Sequence, residues 1–151
     1  MITLNIIEKS EIPYEWLEQM KAYAAVPDGA QDSLLKALLL RAVLRVQELA
    51  NKSLLACTLE LHEDEVEDNT VRLFQTVSEV IGVSTPVGHK LYWEYRANGL
   101  RVYEDSVVVT YKTEPRDGDI EDLLPVVFQY ATALYDGQDT KALASILSQC
   151  Q

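Results

Sequence analysis

The chain predicts an α+β fold: a small helical core of about four helices, with an antiparallel β insert between the second and third helices. Two changes of periodicity predict it. Apolar residues recur at helical spacing from Pro13 to Ser53 and again from Pro125 to the C-terminus, whereas between Cys57 and Thr113 they alternate with the period of a strand. A tight-turn signal, Asn98 followed by Gly99, sits inside the alternating stretch. With 151 residues and 48% apolar composition, the chain suffices for one well-buried core and is too short for two independent ones. Residues 1–151 are therefore expected to form a single domain, helical over 13–55 and 119–151 with the insert at 57–113, and with both termini in the helical part.

Pro13 suits a first helical turn, and Trp16, Leu17, Met20, Tyr23 and Ala24 then recur at helical spacing until Pro27, Asp28 and Gly29 break the run. Asp32 is placed to cap the next helix, which runs to about Ser53. Its core face is expected to hold Leu35, Leu38, Leu39, Ala42, Val46, Leu49 and Ala50. Ala37, Leu40 and Leu44 fall on the other side, among Lys36, Arg41, Gln47, Glu48 and Asn51, where a lone helix should be polar. Either the helix is sandwiched inside its own domain or that second stripe meets another subunit.

In the insert, Cys57, Leu59 and Leu61 alternate with Thr58, Glu60 and His62. Further strands are expected at Thr70 to Val77, Glu79 to Ser84, Leu91 to Arg96, Leu100 to Tyr103 and Val107 to Thr113, the last ending at Pro115. They are expected to make one small antiparallel sheet, with Tyr92, Trp93, Tyr95, Tyr103 and Tyr111 as aromatic cross-strand pairs. Acidic residues from Asp117 to Asp122 suit the N-terminus of a third helix, with Pro125 in its first turn and Gly137 at its stop. Asp139 can cap a short fourth helix carrying Ala142, Leu143, Ile146 and Leu147.

Charge and composition exclude several functions. A net charge of −11 with pI near 4.5 disfavours nucleic acid and anionic membranes, which demand a basic surface. Residues Met1 to Ser10 lack the basic and apolar regions of an export signal, and no apolar run reaches the ~20 residues of a membrane span. Cys57 and Cys150 form neither a metal spacing nor a disulfide framework, which fits a reduced intracellular setting.

No constellation reads as a catalytic or metal site. The acidic run Glu60, Glu63, Asp64, Glu65, Glu67 and Asp68 lacks the glycine and ligand spacing of a calcium loop and reads as a solvated hairpin loop. His62 and His89 have no metal-binding neighbours, and the strand register puts His62 on the polar face. Ser84, Thr85, Pro86, Val87 and Gly88 form a turn without the ending of a phosphate loop or the spacing of a nucleophile elbow. Carboxylates from Glu114 to Asp122 sit in an exposed-looking linker, where helix capping and solvation explain them more simply than acid–base chemistry. The chain is expected to be non-enzymatic and to need no cofactor.

The segment Leu123-Leu124-Pro125-Val126-Val127-Phe128-Gln129-Tyr130-Ala131-Thr132-Ala133-Leu134-Tyr135-Asp136-Gly137 resembles the penultimate helix of head-tail connector (adaptor) proteins of tailed bacteriophages and prophages. Glu15, Trp16, Leu17, Met20, Lys21, Ala22 and Tyr23 look like that family's first helix, and Asp32 to Leu55 like its long second helix and exit. Val107 to Lys112 looks like the end of the β insert of its longer members. Lys52 and Ser53 depart from the pattern, where a glycine and a basic residue are common.

The resemblance implies a structural role. Copies would form a ring beneath the portal protein, extend the DNA channel and dock a neck or tail completion protein. The chain would lie in the virion neck when assembled and in the host bacterial cytoplasm during assembly, with no sequence-specific nucleic-acid binding and no membrane. Subunit-interface candidates are Ala37, Leu40, Arg41, Leu44 and Tyr130; partner-docking candidates are Tyr92, Trp93, Asp139, Leu143 and Leu147. Glu63, Asp64, Glu65, Glu67 and Asp68 are candidates to line the channel, where carboxylates repel phosphates. The alternative is a bacterial β-sheet protein-binding module without catalytic activity.

Overall fold

Pro13, at φ −56°, leads directly into helix α1 (Tyr14–Tyr23), where its missing N–H costs nothing. The computed structural model describes residues 1–26, 29, 31–137 and 141. Contacts divide the chain into two compact units, Met1–Ser10 with Leu55–Glu114, and Glu11–Leu54 with Pro115–Gln151. The second unit is helical. α1 buries Trp16, Leu17 and Met20, while Tyr23, expected beside them, is 54% exposed with its ring 6.3 Å from that of Phe128.

Helix α2 spans Asp32–Ala50, and Asp32 does not cap it. Its carboxylate instead pairs with Lys21 Nζ at 2.9 Å, tying α2 to the last turn of α1. The buried face is Leu35, Leu39, Ala42, Val43, Val46, Gln47 and Ala50, so it is rotated from the expected one: Leu38 and Leu49 are only half-buried. Gln47, expected among the polar residues, is 1% exposed. Its Oε1 accepts the Leu54 N–H at 2.8 Å, so the buried amide organises the helix exit, where Asn51 turns left-handed at φ 53°.

Helix α3 runs Asp119–Tyr135 after Gly118, which takes φ 90°. Pro125 was expected in the first turn and lies inside the helix instead, because Asp119, Glu121 and Asp122 extend the favourable N-terminal end upstream of it. The Pro125 ring leaves the Glu121 carbonyl without its i+4 donor. Gly137, at φ 71°, stops the helix as expected. α3 packs mainly on α2 and touches α1. The described chain thus has three helices; the fourth, expected from Asp139, lies outside the described residues.

The first unit is all β and antiparallel. Its strands are β1 (Ile2–Lys9), β2 (Cys57–Glu63), β3 (Thr70–Val71), β4 (Val77–Ser84), β5 (Glu94–Arg96), β6 (Gly99–Arg101) and β7 (Val107–Thr113). They form two sheets rather than the single one expected, ordered β1-β2-β7-β4 and β3-β6-β5. In the larger, Leu59 faces Tyr111 and Leu61 faces Val109, giving a buried stripe along one face. Thr70–Val77 does not form one strand because Gln75, at φ 65°, turns the chain between β3 and β4.

β1 corrects the expectation that both termini are helical. It pairs with β2 from Ile2↔Glu63 to Lys9↔Cys57, with a bulge between Ile6 and Glu8 that breaks its alternation. The β part is therefore completed by the N-terminus and is not solely an insert between α2 and α3. The β5–β6 turn also shifts by one residue: Arg96 pairs with Gly99, so Ala97 and Asn98 make the turn. Gly99 serves another purpose. It sits at φ 147°, and a Cβ there would lie 2.1 Å from the Val71 carbonyl oxygen, so only glycine admits the close approach of β3.

Candidate interaction surfaces

On the smaller sheet, strand alternation assigns Glu94 and Arg96 to one face of β5 and Tyr95 to the other, and just before the strand Tyr92 joins the first through Glu94 while Trp93 joins Tyr95. Across the pairing, Glu94 faces Arg101 and Tyr95 faces Leu100, so Arg101 and Tyr103 join the first face while Leu100 and Val102 turn into the core. Glu94 organises that first face. One of its carboxylate oxygens accepts the Tyr92 hydroxyl at 2.7 Å and the other the Arg96 guanidinium at 2.6 Å. The hydrogen bond to Glu94, reinforced by its charge, pushes the Tyr92 phenol pKa up.

The rings continue the array. Tyr92 stacks on Tyr103 at 6.2 Å between centroids, and the Arg101 guanidinium lies 5.3 Å above the Tyr103 ring. Tyr92 is 68% and Tyr103 53% exposed. Arg101 is half-buried, its Nε is buried without a hydrogen-bond partner, and no carboxylate lies within 4.0 Å of it among the described residues. On the opposite face, Trp93 meets Tyr95 edge-on at 4.8 Å. The partner-docking candidates Tyr92 and Trp93 are thus near in sequence but on different faces. Arg96, Arg101 and Tyr103 were not singled out as site residues; counting by twos from Tyr92 and across the hairpin register would have gathered them.

The acidic candidates occupy the β2–β3 connection. Asp64, Glu65, Glu67 and Asp68 are exposed, with Glu65 and Asp68 in left-handed conformations at φ 60° and 53°. Glu63 differs from them. It closes β2, is half-buried, and burial pushes its carboxyl pKa up, helped by the charge of Glu67. His62 is hydrogen-bonded to the Glu60 carboxylate along the half-exposed side of β2. Tyr111, expected with the aromatic pairs, is fully buried in β7. Its hydroxyl donates to the Phe74 carbonyl and accepts the Phe74 N–H, and burial raises its pKa to about 12.

In the helical unit, Ala37 and Arg41 are exposed and Leu40 and Leu44 half-buried, so the second stripe of α2 is an open apolar surface with basic neighbours. Leu34, 50% exposed, extends it by one turn. Tyr130 does not belong to it. At 6% exposure it packs inside the three-helix group, which leaves little of it to meet another subunit. Asp139, Leu143 and Leu147 lie outside the described residues. Among the described residues no group of three or more His, Cys, Asp or Glu side chains is placed to hold a metal, and no helix is long and apolar enough to cross a membrane.

The whole arrangement has solved counterparts. A chain in the neck of an empty gene transfer agent (GTA) particle, computed with C6 symmetry, matches with a TM-score of 0.71 at 15% identity, over 96% of this chain and 94% of that one. The two share a fold. A chain in the virion of a native GTA particle matches with a TM-score of 0.65, also at 15% identity, over 89% of this chain and 84% of the other. No protein-family model matches the sequence, and no curated protein does.

Proposed function

We propose that this protein is a structural head-tail connector of a tailed phage, prophage or gene-transfer-agent-like particle. It forms a closed ring beneath the portal, lengthens the DNA channel and docks a neck or tail component. The observation that carries this is the near end-to-end likeness to the neck chain, 96% of one and 94% of the other, which leaves no large element of either without a counterpart. Symmetry of order six in that neck supports a ring whose copy number is a multiple of six.

The chemistry is compatible with the role. A charge of −11 keeps passing DNA from adhering to the wall. A ring needs two different faces of each subunit to meet, and the α2 stripe of Leu34, Ala37, Leu40 and Leu44 is proposed as one of them. Mass spectrometry of purified particles tests the role directly: the chain is expected at ring stoichiometry, and deleting its gene should leave filled or leaking heads without tails. Mass photometry tests the ring. Leu40→Glu with Leu44→Glu should lower ring assembly at least tenfold while the monomer stays helical. A chain absent from particles and monomeric at every concentration would instead favour a β-sheet protein-binding module, whose surface would be the exposed Tyr92–Tyr103 face.

A further inference from the structure

Asn98 and Gly99 form a reactive dipeptide at an exposed point of the fold. The sequence has four asparagines, Asn5, Asn51, Asn69 and Asn98, followed in turn by Ile6, Lys52, Thr70 and Gly99. The backbone nitrogen of the following residue can attack the asparagine side-chain carbonyl carbon, and a Cβ on that residue crowds the approach; glycine has none. Only Asn98 meets that condition. It is exposed beside exposed Ala97 at the tip of the β5–β6 turn, and its side chain makes no hydrogen bond among the described residues. The pairing of Arg96 with Gly99 holds the Gly99 nitrogen in the ladder, so the attack awaits an opening of the turn. Such openings are cheap here, because β5 is three residues long, lies at the edge of its sheet and leaves Tyr95 and Arg96 exposed.

We propose that Asn98 is a site of spontaneous covalent modification, which converts it to aspartate and isoaspartate. The Gly99 nitrogen bonds to Asn98 Cγ and gives up its proton, the side-chain nitrogen leaves with that proton as ammonia, and a cyclic imide remains. Water then opens the ring. Cleaving the bond from the Gly99 nitrogen to Cγ yields aspartate; cleaving its bond to the backbone carbonyl carbon yields isoaspartate, whose main chain runs through Cβ and Cγ and is one atom longer. The fold treats the two products differently. Aspartate keeps the length of the two-residue turn. Isoaspartate lengthens it beside Gly99, which has no room to shift towards β3, since a Cβ there would already lie 2.1 Å from the Val71 carbonyl oxygen. The extra atom therefore loosens the Arg96↔Gly99 pair and the neighbouring Val71↔Leu100 pair. The glycine that the close approach of β3 requires is thus also the one that opens Asn98 to attack.

Ageing the purified full chain in mildly alkaline buffer tests this independently of the connector role. Trypsin cuts after Arg96 and Arg101 and releases residues 97–101, which contain Asn98 and no aspartate. The three forms of that peptide separate by chromatography, and replacement of NH2 by OH raises the mass. That rise excludes Asp28, Asp117 and Asp136, which also precede glycines but isomerise without a change of mass. Conversion at Asn98 is expected to be about tenfold or more faster than at Asn5, Asn51 or Asn69. An Asn98 that stays intact in the folded chain and reacts only in urea overturns the site. Hydrogen exchange reads the consequence: Leu100 should exchange about tenfold faster in molecules bearing isoaspartate than in those bearing aspartate, and Asn98→Asp should match the unaged chain. Equal exchange in the two products overturns the link to Gly99. Asn98→Ser, which removes the reacting side chain, should keep its Leu100 protection with age; if that protection decays as it does in the wild type, the ageing has another cause and the proposal falls.

Discussion

The helical and β units are each built from two separated stretches of chain, yet they are held in different ways. In the helical unit the stabilising contacts are interdigitated side chains: Leu35, Leu39, Val43 and Val46 of α2 and Val127 and Ala131 of α3 are fully buried, and one ion pair and one amide tie the ends. The β unit depends on backbone geometry as well, through ladder register, bulges, four of the six non-glycine residues at positive φ among the described residues (Glu65, Asp68, Asn69 and Gln75), and the contact of Gly99 with Val71. Side-chain packing tolerates modest reshaping, whereas a backbone approach tolerates none, so the two units should differ in what breaks them.

The largest effect is expected from Leu39→Glu, which puts a charge at a fully buried position of α2 and should cost about 4 kcal/mol or more. Circular dichroism at 222 nm should report loss of the helices; if, with Trp16→Phe also made so that Trp93 is the sole tryptophan, the near-ultraviolet signal disappears in the same transition, the two units unfold as one. Gly99→Ala comes next. A single methyl group meets the Val71 carbonyl at 2.1 Å, so a loss of about 2–4 kcal/mol is expected, with amide exchange accelerated first at Val71 and Leu100. An equally small residue added on the helical side, Ala37→Ser, should be nearly silent, and a comparable loss there would erase the contrast.

Tyr111→Phe removes the hydroxyl that bridges both polar groups of the Phe74 backbone and should cost about 1–2 kcal/mol in urea unfolding. Glu63→Gln is the smallest. Because burial raises the Glu63 pKa, its protonated form is favoured on folding; the resulting stability is present at low pH and is lost as pH rises through the folded pKa. At pH 7 the variant should therefore melt roughly 1 °C higher than the wild type, with the gap closing near pH 4. A gap that widened towards acid would mean that Glu63 is stabilised in its charged form.

Legibility in the sequence followed the same division. α1, α2 and α3 were visible because a helix writes its packing into consecutive residues, and β2 and β7 because both are half-buried and alternate strictly. β1 was not. Its residues are exposed except for Leu4, and its bulge places Ile6 and Ile7 side by side, so neither burial nor alternation marks it. The rotation of the α2 face was hidden by Gln47, whose polar side chain is satisfied by a backbone amide seven residues on. At the candidate surfaces, Tyr92 and Trp93 stood out as aromatic residues, but the role of Arg101 depends on a cross-strand register that sequence spacing places one residue wrongly at Gly99.

The pairing of β1 with β2 also sets an order of events during synthesis. β1 leaves the ribosome first and must wait for residues 57–63, with α1 and α2 emerging in between. Those two helices wait in turn for α3, the last described helix, before their shared apolar face is covered. Neither unit can close until most of the chain has been made, and at ~5–20 residues per second that is an interval of several seconds. Over that time Leu35 and Leu39 of α2, fully buried in the finished fold, stay uncovered. The pace of translation through residues 64–137 therefore sets how long that apolar face stays open to wrong contacts.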